Sequence, residues 1–227
     1  MSKYFTSTIF RKTLAALTGL FLVLFLVGHL AGNLQLFIPG LKGQTQFNKY
    51  ALFMTTNPVV NLLSIITYSS ILLHIILTFY LVVQSRRARP VRYTVSSVRD
   101  TSKWSSRNMS ILGVAILFFL VVHLRSFWYK MHFGDMPYQY LSDGTKIKDL
   151  YTVTTSAFEN PLYTLFYVVC MIALSFHLKH GVESAIQTIG LKIPSYERLF
   201  KYIAMTIALS IPTVFASIPI YLYIKSL

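Results

Sequence analysis

Four of the six histidines in this 227-residue chain, His29, His74, His123 and His177, lie inside long apolar stretches. Those stretches contain no Asp or Glu, so the imidazoles are almost the only ionisable groups in them. An ionisable side chain in apolar surroundings calls for a specific use. Two uses compete: each ring could hydrogen-bond to a neighbouring helix, or the rings could act together as metal ligands. One histidine in each of four stretches favours the second.

The elements that must position these rings are membrane spans. Hydrophobic residues make up 54% of the chain and charged residues only 12%, against about 25% in soluble domains, and the mean hydropathy is +0.56. No Asp, Glu, Lys or Arg occurs within residues 13–41, 50–85, 108–124, 160–178 or 202–224. A bilayer span takes about 20 residues. These runs exclude a soluble fold and predict an all-α integral membrane protein, one membrane domain over residues 1–227. Its five transmembrane helices are expected at about 13–36, 58–83, 108–129, 160–181 and 199–224. The first apolar run is about 24 residues, beyond the 7 to 15 of a signal-peptide core, so the first span is expected to stay.

The net charge of +14 could suggest nucleic acid, but the spacing of the charges points elsewhere. The N-terminal tail (Lys3, Arg11, Lys12), the second loop (Arg86, Arg87, Arg89, Arg92, Arg99, Lys103, Arg107) and the fourth loop (Lys179, Lys192, Arg198, Lys201) carry 14 of the 21 basic residues. The opposite side holds Lys42, Lys49, Arg125, Lys130, Lys146, Lys148 and Lys225. By the positive-inside rule the N-terminus is cytoplasmic and the C-terminus outside. The basic loops then read as topology signals and lipid or subunit contacts, with no nucleic-acid partner.

Depth along the spans sorts the histidines. At 1.5 Å of rise per residue, His29 and His123 each fall about 7 Å past the midpoint of an outward-running span, in the outer half. His74 and His177 fall about 5 to 10 Å past the midpoints of inward-running spans, in the inner half. Two imidazole pairs at two levels suit two bis-imidazole haems b in one helical bundle. Zinc or copper would want three or four ligands converging on one point. With Cys170 the sole cysteine, a disulfide, a cysteine-ligated cluster and a Cys-x-x-Cys-His haem attachment are all excluded.

Other residues frame these four. Gly28 and Gly32 flank His29 at a spacing of four, leaving a face for a flat macrocycle or for another helix. Arg125 lies just beyond His123, and Lys179 and His180 lie just beyond His177. Such donors would suit haem propionates or a quinone carbonyl, or they are side chains snorkelling at the interface. His132 reads as a surface histidine. Asn57-Pro58 and Asn160-Pro161 are helix starts, and Pro39-Gly40 is a helix stop. The longest connection, 130–159, carries turn signals at 134–137 and 142–144 that suggest a short hairpin. Pro212 and Pro219 predict a kinked fifth span.

Several motifs bring a resemblance. Gly28-His29-Leu30-Ala31-Gly32-Asn33-Leu34, Phe47-Asn48-Lys49-Tyr50, Ser106-Arg107-Asn108-Met109 and His177-Leu178-Lys179-His180-Gly181 with Gln187-Thr188-Ile189-Gly190 resemble the single-chain dihaem cytochrome b anchor of succinate dehydrogenase and fumarate reductase. The likeness covers nearly the whole chain. It is strongest around the histidines and weakest in the outer loop and the fifth span. It implies two haems b, His29 with His123 on the outer iron and His74 with His177 on the inner, and favours His177 over His180 as ligand. It also implies a flavoprotein subunit with FAD and an iron-sulfur subunit on the cytoplasmic face of a bacterial inner membrane. The electron-exchange partner is a quinone, menaquinone by analogy, and a higher oligomer of the complex is allowed. The chain departs from some relatives at Ser175, where they carry a glutamate linked to proton movement, and in lacking a glutamate between Leu36 and Asn57.

The expected function is therefore electron transfer between the iron-sulfur subunit and membrane quinone, as a subunit of succinate dehydrogenase or fumarate reductase that does not itself oxidise succinate. No dinucleotide fingerprint or cysteine cluster is present for flavin or iron-sulfur chemistry. The quinone is expected at the outer end against Arg125, Trp128 and Tyr129, or else at the docking side near Ser7, Lys12 and Arg107. The alternatives are the cytochrome b subunit of another quinone-linked complex, such as a formate dehydrogenase or nitrate reductase, and a transporter with a histidine relay.

Overall fold

The computed structural model describes residues 7–88, 104–191 and 193–227. The basic positions Lys3, Arg89, Arg92, Arg99, Lys103 and Lys192, with the Arg89-Pro90 pair, lie outside the described residues. Among the described residues five helices are long and apolar enough to cross a membrane: Thr8–Phe37, Pro58–Arg87, Met109–Phe133, Pro161–Thr188 and Pro194–Ser226. The protein is an all-α multi-pass membrane protein with one short hairpin.

In chain order the helices are α1 (Thr8–Asn33), α2 (Gly40–Thr56), α3 (Pro58–Arg87), α4 (Trp104–Arg107), α5 (Met109–His123), α6 (Tyr129–Phe133), α7 (Leu150–Phe158), α8 (Pro161–Thr188) and α9 (Glu197–Ser226). A π-helical turn, Leu124–Trp128, joins α5 to α6 within the third span. Most spans run a few residues past their apolar stretches. In α3 the extra turn carries Arg86 and Arg87, cations favoured at a helix C-terminus and at the membrane interface.

Local chemistry starts these helices. Ser7 Oγ accepts from the Phe10 amide at 3.1 Å at the head of α1. Asn57 Oδ1 accepts from Val59 and Val60 at 2.9 and 3.2 Å, with Pro58 at the first helical position, where its missing N–H costs nothing. Asn160-Pro161 repeats the device on α8, accepting from Leu162 and Tyr163 at 2.9 and 3.1 Å. Gly40 takes φ +70° after Pro39, a conformation open to glycine at no steric cost, and turns the chain into α2.

Helix α8 is the hub, packing on α1, α5 and α9, while α3 packs on α1 and α2. Its core with α9 runs through Cys170, Met171, Leu174, Leu178 and Ala208. Helix α9 continues through Pro212 and Pro219, both buried, where the sequence suggested a kink. Pro212 has no N–H to offer the carbonyl four residues earlier, which is that of Ala208. Ser175 of α8 donates its hydroxyl to that carbonyl at 2.6 Å. Ser175 thus mends a bond that a proline removes on the neighbouring helix.

Helix α2, the hairpin and α7 gather at one end of the bundle. Strands β1 (Tyr138–Tyr140) and β2 (Lys146–Lys148) pair antiparallel, with Gln139 opposite Ile147. These two point inward while the flanking Tyr138 and Tyr140 stand exposed, the period-two alternation of a half-buried ribbon. Asp143 Oδ1 accepts from the Thr145 amide at 2.9 Å, and Gly144 has φ +81°. Helix α2, expected only as loop, lies against α7 and is fastened by fully buried Asn48. Its side-chain amide donates to Gln139 at 2.9 Å and to Asp149 at 2.7 Å, and its oxygen accepts from the Tyr151 amide at 2.9 Å. Gln44 donates to the other Asp149 oxygen at 2.6 Å and Thr152 adds a further donor at 2.7 Å.

Two outcomes follow from these bonds. Ser175→Ala should lower detergent melting stability by about 0.6 to 1.7 kcal/mol, the range for interhelical bonds in membranes. In a Pro212→Ala background an amide again reaches the Ala208 carbonyl, and the same change should cost much less. Equal costs in the two backgrounds would show that the hydroxyl is not mending the proline. For Asp149, burial pushes the carboxyl up, but hydrogen bonds from Thr152, Asn48 and Gln44 outweigh it and hold the group below the usual carboxylate range. Its stabilising effect is therefore complete above the unfolded value of about 3.9 and is lost as pH falls through the lower folded value. Asp149→Asn should flatten that acid limb and expose the hairpin end to protease at neutral pH; an unchanged acid limb would refute the assignment.

Candidate functional site

The four intramembrane histidines come from four spans: His29 from α1, His74 from α3, His123 from the last turn of α5 and His177 from α8. All four are half-buried. The structure brings His29 and His123 together, ring centroids 5.8 Å apart and planes at 85°. His74 and His177 lie within electrostatic range of one another, and His180 within range of His177. Among the described residues no three His, Cys, Asp or Glu side chains converge on one point.

Aromatic rings build the surroundings of the first pair. Phe25 stacks on His29 at 5.4 Å and Phe119 on His123 at 5.6 Å, each from four residues earlier on the same helix. The two spans share a local pattern that the absence of a full repeat conceals: Phe25-Leu26-Val27-Gly28-His29-Leu30 and Phe119-Leu120-Val121-Val122-His123-Leu124. Residues four apart on a helix face the same way, so each phenylalanine presses its own histidine toward the partner. Phe215 of α9 closes on His29 at 5.6 Å and Phe127 on His123 at 5.4 Å. His123 Nδ1 lies 3.3 Å from the hydroxyl of Tyr167, which lies 3.0 Å from that of Tyr163. His29 Nδ1 has only a marginal neighbour, the Asn33 amide at 3.5 Å, because that amide donates to the His29 carbonyl at 2.7 Å.

Small residues build the second site. Ala15, Thr18 and Gly19 form one face of α1 beneath His74. A Cβ on Gly19 would sit 3.0 Å from His74 Cε1, a tight contact that the ring would have to relieve by shifting a few tenths of an ångström. Thr18 gives its proton to the carbonyls of Leu14 and Ala15 at 2.9 and 3.0 Å, which turns its lone pairs toward His74 Nδ1 at 3.2 Å. The same Nδ1 lies 3.1 Å from the Ala15 carbonyl. Two acceptors require that Nδ1 carry the proton, leaving the lone pair on Nε2 free for a ligand. Opposite, Gly113 of α5 approaches His177, where a Cβ would stand 4.0 Å from Cε1, and buried His177 Nδ1 has no hydrogen-bond partner.

The remaining expected residues fall into separate places. Arg125 is exposed and lies over the Tyr129 ring at 4.6 Å. Trp128 donates its indole N–H to Tyr68 of α3 at 2.8 Å and stacks on exposed His132 at 4.6 Å, tying α3 to the third span near the hairpin end. The π-helical turn resets the register after His123 and so decides where both side chains point. Lys179 and His180 are half-buried toward the far end of α8, and Arg107 is exposed on α4. Ser7 is engaged as the α1 cap, and Lys12 is exposed. The flanking glycines part company: nothing stands within 4 Å of a Cβ on Gly28, whereas one on Gly32 would meet the Tyr50 ring at 2.5 Å. Gly32 therefore admits a neighbouring helix, and Gly28 borders open space.

Sequence reasoning passed over Tyr163, Tyr167, Thr18, Gly19 and Gly113. The available signal was spacing: Tyr163 and Tyr167 stand four apart, polar tips on one face of an apolar span. No protein-family model, curated protein or solved structure matches the chain, and the two histidine pairs with the side chains around them are what its function must be read from.

Proposed function

We propose that this chain is the dihaem cytochrome b anchor of a bacterial succinate:quinone oxidoreductase in the inner membrane, exchanging electrons between a cytoplasmic iron-sulfur subunit and a membrane quinone. The observation that carries this reading is the juxtaposition of His29 with His123 at 5.8 Å, with His74 and His177 within electrostatic range of one another. A metal shared by two imidazoles, at metal–nitrogen distances of about 2.0 Å, would need the two rings within several ångströms of each other. The first pair fits that spacing. At the second, the Ala15 and Thr18 acceptors hold the His74 proton on Nδ1, and the partnerless His177 Nδ1 and the Gly19 and Gly113 clearances suit ligands that a bound group would complete.

When bound, two haems b would supply one-electron carriers at two levels of the membrane. The chain's own residues hold the rings, exclude water with Phe25, Phe119, Phe127 and Phe215, and leave the polar work to the helix ends. The basic excess supports a cytoplasmic N-terminus, which would make His74 and His177 the inner pair and His29 and His123 the outer. Arg86, Arg87 and Arg107, all exposed, then line the face on which the iron-sulfur and FAD-bearing subunits dock. Arg125 and Trp128 lie at the outer end, where a quinone carbonyl could find a cationic donor beside an aromatic wall.

The purified chain should contain two low-spin b haems that do not bind carbon monoxide, because two axial imidazoles fill the iron. His29→Ala or His123→Ala should remove the same haem, and His74→Ala or His177→Ala the other, while His180→Ala keeps both. A haem-to-chain ratio near one, or loss that groups His29 with His74, would overturn the pairing; absence of any b-type absorption would end the cytochrome reading. Co-purification of a flavoprotein with covalent FAD identifies the parent enzyme over a formate dehydrogenase or nitrate reductase.

Arg125→Ala should impair quinone turnover and leave both haem spectra and the succinate-to-dye activity of the soluble subunits intact. Unchanged turnover there, with failure in Arg107→Ala, would move the quinone to the cytoplasmic end.

A further inference from the structure

Tyr167 is buried, 6% exposed, and boxed by Phe158 at 4.9 Å, Phe119 at 5.0 Å and Tyr163 at 4.8 Å between ring centroids. The box leaves its hydroxyl two polar neighbours, His123 Nδ1 at 3.3 Å and the Tyr163 hydroxyl at 3.0 Å. If the Tyr167 proton is used in one of these two contacts, two arrangements are open. In one, His123 Nδ1–H donates to Tyr167 and Tyr167 donates to Tyr163, and the Nε2 lone pair is free. In the other, Tyr163 donates to Tyr167 and Tyr167 donates to Nδ1, which puts the imidazole proton on Nε2 and blocks metal binding. Tyr163 is half-buried one turn from the head of α8, so its own proton can leave toward the interface. The two hydroxyls in series thus accommodate the first arrangement.

We infer that Tyr167, backed by Tyr163, is a positioning residue that fixes the His123 tautomer and lowers the potential of the haem it ligates. This rests on the cytochrome reading above. A hydrogen bond accepted from Nδ1–H makes Nε2 the stronger electron donor, which favours the oxidised iron. The inner pair works differently: His74 donates to a backbone carbonyl, which no side-chain substitution removes, and His177 Nδ1 has no such partner. The tyrosine pair therefore acts on one haem alone, and it sets the two potentials apart.

Spectroscopic redox titration of the purified complex tests this, with the outer haem identified as the one lost in His29→Ala. Tyr167→Phe keeps the ring and its aromatic box and removes the acceptor. It should raise the outer potential by about 59 mV, a tenfold change in the oxidised-to-reduced ratio for one electron, and leave the inner potential in place. Tyr163→Phe keeps the contact with His123 and removes only the acceptor behind it, so it should give a smaller shift of the same sign; it decides the matter alone if Tyr167→Phe does not fold. An unmoved outer potential in haem-loaded variants, or an equal shift of both haems, overturns the inference. A wild-type chain without haem would instead overturn the reading on which it rests, and that result precedes any variant.

Discussion

Inside an apolar bundle a polar nitrogen, carbonyl or hydroxyl that lacks a partner carries a cost that water cannot relieve. The interior of this protein is arranged around that constraint. His74 meets it with Ala15 and Thr18, and His123 with Tyr167 and Tyr163. The Ala208 carbonyl, left without an amide by Pro212, meets it with Ser175. Among the described residues Gln84 Oε1 and His177 Nδ1 stand as exceptions, and the second, on a ring within electrostatic range of another imidazole, is where a ligand-binding role is expected.

Satisfying these groups dictates where helices can approach. Gly19 brings α1 close beneath the His74 ring, Gly113 lies near His177 with room for a Cβ, and Gly32 lets Tyr50 of α2 lie across α1. Around the first histidine pair the solution is opposite in kind, with large rings packed about the imidazoles. One level of the bundle is thus shaped by small residues and the other by aromatic ones, and the two would present different dielectric surroundings to whatever they bind. The connections at the hairpin end add rigidity there, where buried Asn48 joins α2, β1 and α7 through three side-chain bonds. Ser175 fits the same picture, since its hydroxyl is engaged by the neighbouring helix.

Much of the architecture is legible in the chain itself. Charge-free runs mark the five spans, Asn-Pro pairs mark the starts of α3 and α8, and Asp143-Gly144 marks the turn between the strands. These are local signals: span length follows from bilayer thickness, a cap from one side chain and its next amides, a turn from the φ that glycine permits. Depth is nearly as local, because rise per residue is constant, and it sets His29 level with His123 before any contact is known. Rotation about the helix axis is not local. A span that is apolar all round has no polar face to say which side meets a neighbour, so Tyr167 beneath His123, Thr18 beneath His74 and Ser175 opposite Ala208 follow only from tertiary packing. The π-helical turn after His123 and the docking of α2 belong to the same class, since each answers to partners distant in the chain. The sequence by itself determined what crosses the membrane and at what depth each imidazole lies; the tertiary structure decided which groups those imidazoles touch, because azimuth is set by neighbours and not by hydropathy.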